Sequence, residues 1–110
     1  MLLSGDIGGT KTLLGIFGAA PDRPRPVEVR EFVTLDYDGL EPMVAEFLRA
    51  QGIDPERIEA ACFGVAGAVT GQVARLTNVP WLVEAAQVQE ELGFKRASVI
   101  NDLQALAYGV

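Results

Sequence analysis

Histidine is absent from this chain. That removes His-based catalytic triads, imidazole general bases and most zinc sites. Cysteine is nearly absent. Cys62 stands alone, so no internal disulfide can form and a reducing, cytoplasmic setting is expected. Within its apolar run Cys62 is expected to behave as a small buried hydrophobe. Positive charge is scarce. Nine Lys and Arg stand against fifteen Asp and Glu, a net charge of −6. A nucleic-acid partner is not expected, because such proteins carry basic footprints. No apolar run approaches the ~20 residues of a membrane helix. Met1-Leu2-Leu3 is too short for a signal peptide, so no membrane association is expected.

What is present suits one soluble globular domain. The 110 residues are 49% hydrophobic and 22% charged, enough to bury a core. The chain has no internal repeat and no low-complexity segment.

The densest local chemistry lies in Gly5-Asp6-Ile7-Gly8-Gly9-Thr10-Lys11-Thr12. Glycine tolerates positive φ and allows close approach to the backbone. Successive N–H groups in such a turn can form a concave nest for an anion. Thr10, Lys11 and Thr12 add donors, and Asp6 can face a cation held by the same anion. That is the chemistry of a phosphate–Mg²⁺ site. Two short strands joined by a Gly-Gly turn also make an ordinary hairpin. A P-loop is rejected. Thr10 stands where its second glycine is required, and a β-like run follows instead of a helix.

Residues 2–6 and 11–18 read as two strands. The Pro-rich stretch 21–26 reads as a solvated hairpin tip, and Val27, Val29 and Phe32-Val33 as a third strand antiparallel to the second. Leu40, Met43, Val44, Phe47 and Leu48 recur at helical spacing. Asp38 and Glu41 suggest a capping box, and Gly52 a C-cap. Asp54-Pro55-Glu56 starts a short turn. Ile58 to Ala66 is nearly continuous in apolar residues, the pattern of a strand covered on both faces. Gly67 to Gly71 turns the chain and Val73 to Thr77 returns it. A helix is expected from about Val83 to Leu92, a strand over Ala97 to Ile100, and a final helix opened by Asn101-Asp102. The order gives an α/β fold with an antiparallel and a parallel side.

Asn101-Asp102 sits where a strand ends, the position at which open α/β sheets gather ligands. A helix N-terminus favours a carboxylate there, and an ionised carboxylate beside a bound hydroxyl can accept its proton. Either residue can also serve as a plain N-cap.

Taken together these segments resemble the N-terminal lobe of bacterial glucokinases, within the sugar-kinase, Hsp70 and actin superfamily. Residues 5–12 look like the first phosphate loop of that family. Phe63 to Val69 look like the strand and turn bordering the sugar, and Leu76 to Trp81 like the following sugar-contact loop. Ile100 to Val110 look like the segment carrying the catalytic base. The resemblance covers the whole chain in the family's order. It implies an RNase H-like, actin-like ATPase fold, with a mixed sheet, three antiparallel first strands and flanking helices.

The resemblance also implies roles. Asp102 would be the general base that takes the proton from the sugar 6-hydroxyl. Asn101 and Asn78 would hydrogen-bond sugar hydroxyls. Gly8, Gly9 and Thr10 would line the β/γ-phosphates of ATP, with Lys11 adding charge. Asp6 would act indirectly through the Mg²⁺ carried by ATP. Ala68 departs from the proline usual in the sugar-side turn. The related group of sugar kinases and repressors shares the first loop, and an RNase H-like interaction module is the non-enzymatic alternative. Family enzymes carry a second lobe. The chain is therefore expected to be a single isolated lobe over 1–110, inactive alone and able to self-associate through exposed apolar surface.

Overall fold

The computed structural model describes residues 1–18, 25–76 and 79–101. Asn78, Asp102 and the helix expected after Asn101 lie outside the described residues.

Strands β1 (Leu2–Ile7), β2 (Lys11–Gly18) and β3 (Arg25–Val33) form an antiparallel meander. Helix α1 (Leu40–Ala50) then leads to β4 (Ala60–Val65), which pairs parallel with β1. A small antiparallel sheet follows, of β5 (Gly67–Thr70), β6 (Val73–Leu76) and β7 (Leu82–Glu84). Helix α2 (Ala85–Leu92) returns the chain to β8 (Ala97–Asn101), parallel to β4. The main sheet thus runs β3-β2-β1-β4-β8, antiparallel on one side and parallel on the other. That is the mixed sheet with antiparallel first three strands that the sequence predicts.

Alternation along the strands decides which face is covered. Leu3, Ile7, Leu14, Ile16, Phe63, Val65 and Val99 are buried, in one cluster with Met43, Val44, Phe47 and Leu48 of α1 and Val88 of α2. Phe32 completes an aromatic corner. Its ring meets Phe47 edge-on at 5.7 Å and Tyr37 at 5.8 Å, geometries that aromatic quadrupoles favour.

The opposite face carries Leu2, Ser4, Leu13, Phe17, Ala60 and Cys62. Residues two apart share a face of a strand, and these are exposed or half-buried. Cys62 is exposed, which corrects its expected burial. Hydrophobic content alone suggested a strand covered on both faces. No helix among the described residues lies over this one, so Cys62 meets solvent there.

Local details also differ from expectation. Gly39, not Asp38, is the N-cap of α1, and no side chain caps it. The capping box does not form, because the helix begins one residue later than that pattern needs. At the other end Gln51 is the C-cap and Gly52 follows with φ +67°. The Gly52 N–H donates to the Arg49 carbonyl and the Ile53 N–H to the Leu48 carbonyl. These two bonds close a Schellman motif, with Ile53 packed against the core. Residues 67–70, expected as a turn, are strand β5, and the reversal is confined to Gly71-Gln72. Helix α2 starts at Ala85 because Leu82 and Val83 pair with Arg75 and Ala74. Val83 fits a buried position in either period, so helical spacing alone misplaced it.

Candidate functional site

Three parallel strands end together. Register pairs Ile7 with Val65 and Val65 with Asn101. The residues that follow Ile7, namely the Gly8–Thr10 loop, therefore leave the same sheet edge at which β8 ends. Two inter-strand steps separate the two, on the order of 10 Å. The Ala66 N–H donates to the Ile7 carbonyl at 3.0 Å and ties the junction of β4 and β5 to the start of the loop.

The loop is short and braced. The Gly8 N–H donates to the Lys11 carbonyl at 3.0 Å. A Cβ on Gly8 would sit 2.9 Å from that same oxygen, so the close turn requires glycine. The reason is proximity and not handedness. Positive φ occurs only at Gly52, Gly71 and Gly93 among the described residues. The left-handed conformation expected in this loop is not used.

Gly8 and Gly9 are half-buried and Thr10 is exposed, so backbone donors and one hydroxyl reach the surface there. Asp6 is exposed on the outer face of β1, one residue before the loop's last strand position. Lys11 forms an exposed ion pair with Glu31 at 3.5 Å. Pairs of this kind contribute little, and the ammonium remains free to exchange partners. Thr12 does not serve as a surface donor. It is fully buried and its hydroxyl meets that of Thr34 at 2.9 Å.

Asn101 is half-buried, and its side-chain amide donates to the Gly67 carbonyl at 2.8 Å. It joins the end of β8 to the start of β5. Gly67 in turn lies hard against the Arg75 carbonyl, where a Cβ would collide with backbone. Gln72 bridges the two sheets further down. Its Oε1 accepts from the Val99 N–H at 3.0 Å, while its carbonyl accepts from the Ala85 N–H at 2.9 Å. An otherwise open edge of β8 is partly satisfied in this way. Trp81 is buried, and its indole N–H donates to the Tyr37 carbonyl at 3.2 Å. The residues after Asn78 are thereby anchored to the main core.

Thr12 was read from the sequence as a surface donor and is instead a buried brace, while Thr34 and Gln72 were not singled out from the sequence. The inward phase of Thr12 in β2, shared with Leu14 and Ile16, is the one available signal, because a buried hydroxyl there needs a partner. Nothing local marks Thr34 or Gln72.

Among the described residues no three His, Cys, Asp or Glu side chains could hold a metal ion together.

The chain is thus an α/β protein with a mixed sheet, and its glycine loop and amide-bearing strand end lie at the carboxyl edge, where open α/β sheets gather ligands. Comparison with known proteins sharpens this class. A family model described as glucokinase matches residues 3–110, and the chain belongs to the glucokinase family. The glucokinase of Trichormus variabilis is 37% identical over 111 residues, covering 100% of this chain and 32% of its own length. A crystal structure of glucokinase from an Antarctic psychrotroph superposes with a TM-score of 0.85 at 27% identity, covering 99% of this chain and 34% of that one. The glucokinase of Balamuthia mandrillaris, solved in complex with glucose, shares the fold with a TM-score of 0.70 at 24% identity, over 98% of this chain and 31% of its own. The chain thus spans about a third of the length of the relatives it matches.

Proposed function

We propose that this chain is the N-terminal lobe of an ATP-dependent glucokinase that transfers the γ-phosphate to the 6-hydroxyl of glucose. The observation that carries the reading is the shared sheet edge, where the Gly8–Thr10 loop and Asn101 end two inter-strand steps apart. Phosphoryl transfer demands positioning and charge neutralisation more than covalent chemistry. A phosphate on one side and an alcohol on the other meet that demand. The strand order β3-β2-β1-β4-β8 supports the RNase H-like, actin-like description.

In this reading the Gly8, Gly9 and Thr10 backbone lines the β/γ-phosphates. Lys11 adds positive charge when it leaves Glu31. Mg²⁺ arrives with ATP and neutralises charge on the phosphates, with Asp6 facing it indirectly. Asn101 hydrogen-bonds a sugar hydroxyl, and Asn78 does the same from the preceding loop. Asp102, the next residue after β8, accepts the proton of the attacking 6-hydroxyl. Side chains that hydrogen-bond a substrate hydroxyl discriminate strongly against ligands lacking it. The setting is cytoplasmic, where ATP and glucose are both available. The outer sheet face, with Leu13, Val29 and Val33 exposed, is the apolar surface through which copies would self-associate.

Lobe closure completes such sites and excludes water. The 110 residues alone are therefore expected to show no glucose-dependent ATP turnover in a coupled assay. Turnover abolished by Asp102→Ala would contradict that. Calorimetry tests the binding half. Weak glucose binding that falls about tenfold in Asn101→Ala supports the kinase reading. Absence of binding to both glucose and Mg·ATP favours an RNase H-like module with an interaction role.

A further inference from the structure

The fully buried hydroxyl pair beneath the glycine loop has a direction. Thr34, just after β3, donates its hydroxyl proton to the Gly8 carbonyl at 2.8 Å. A threonine hydroxyl has one proton, so the 2.9 Å contact with Thr12 must be donated by Thr12. The chain of donors therefore runs Thr12 to Thr34 to Gly8. The Thr34 backbone N–H makes a second bond, to the Thr10 carbonyl at 3.0 Å. One residue, distant in sequence, thus grips the loop at two carbonyls.

The grip fixes the peptide planes. All peptide bonds among the described residues are trans, and in a trans peptide the C=O and N–H point in opposite directions. Holding the Gly8 carbonyl toward Thr34 turns the Gly9 N–H away from it, toward the open side of the loop. We propose that Thr34 is a positioning residue for the phosphate loop, its hydroxyl and N–H pinning the Gly8 and Thr10 carbonyls inward so that the Gly9 N–H is aimed at a phosphate oxygen. This deepens the kinase reading and rests on it. Both threonines are fully buried, so the brace acts from the core side and never touches the nucleotide. The bond to Gly8 holds its geometry because breaking it would leave the fully buried Thr34 hydroxyl without its acceptor.

The test uses the ¹⁵N-labelled chain with Thr34→Val and Thr34→Ser. In the ligand-free protein the Gly9 amide resonance should move in Thr34→Val and return in Thr34→Ser. Calorimetry should show Mg·ATP bound about tenfold more weakly by Thr34→Val, glucose bound within twofold of the parent, and Thr34→Ser close to the parent for both. Leu48→Ala, destabilising but remote from the loop, serves as the control and should leave Mg·ATP affinity within about twofold. Should Thr34→Val fail to fold, Thr34→Ala, which adds no apolar group against the Gly8 carbonyl, carries the same comparison. An unmoved Gly9 amide, or a Mg·ATP loss equalled by Leu48→Ala, overturns the proposal. A parent chain that binds no Mg·ATP, with the Gly9 shift behaving as stated, sinks the phosphate-loop reading and leaves Thr34 as the brace of the loop.

Discussion

Single residues in this molecule are explained by what their atoms would otherwise strike. Gly8 is glycine because a Cβ would stand 2.9 Å from the Lys11 carbonyl, closer than real side chains come. Gly8→Ala should therefore force the loop open. It should cost about 1–2 kcal/mol of stability and weaken Mg·ATP binding about tenfold, read by thermal melting and calorimetry. An alanine variant that melts and binds like the parent would show that the loop has slack. The glycines of residues 5–12 were legible in the sequence as a site. Their reason was not, because a contact between Gly8 and Lys11 depends on the path of the turn. Thr34 was invisible for the same kind of reason. Its partners lie 22 and 26 positions away, and no local pattern encodes such a meeting.

At the scale of the element, helix α1 shows how the apolar stripe outranks local capping signals. Leu40, Met43, Val44, Phe47 and Leu48 are all buried, as their spacing predicts. That burial holds the helix although its N-cap offers no side chain. Glu41, in its first turn, carries a carboxyl held above the ordinary glutamate range. Burial is the main cause, and repulsion from Glu91 and Glu84 adds to it, against a lowering backbone hydrogen bond.

The sign follows from linkage. A raised folded-state value means that the native state holds the proton more tightly than the unfolded chain. Its stabilising contribution is complete below the unfolded value, about pH 4.3, and is lost as pH rises through the folded one. Glu41→Gln should then be more stable than the parent at neutral pH, with the difference closing as the solution is acidified. Denaturant melts across pH would measure it. A variant less stable than the parent at neutral pH would mean that the charge at the helix N-terminus contributes more than burial costs. Boundaries that rest on pairing were less legible than this stripe. Leu82–Glu84 is a strand only because β6 lies beside it, and four residues of β5 looked like a turn because glycines bracket them.

For the molecule as a whole, alternation of two and spacing of 3.6 were enough to place the mixed sheet and the helices that cover one face. Coverage of the other face was misjudged, and Cys62 with it, because apolar composition does not say which neighbour arrives. Strands β1, β4 and β8 converge, delivering a glycine loop and an amide-bearing strand end to one edge. The most direct test is an amide-resolved NMR titration of the chain with Mg·ATP and then with glucose. Shifts centred on Gly8, Gly9 and Thr10 for the nucleotide, and on Gly67 and Asn101 for the sugar, are the predicted result. Shifts for either ligand confined to the opposite end of the sheet, near Leu2, Ala60 and Ala97, would contradict it.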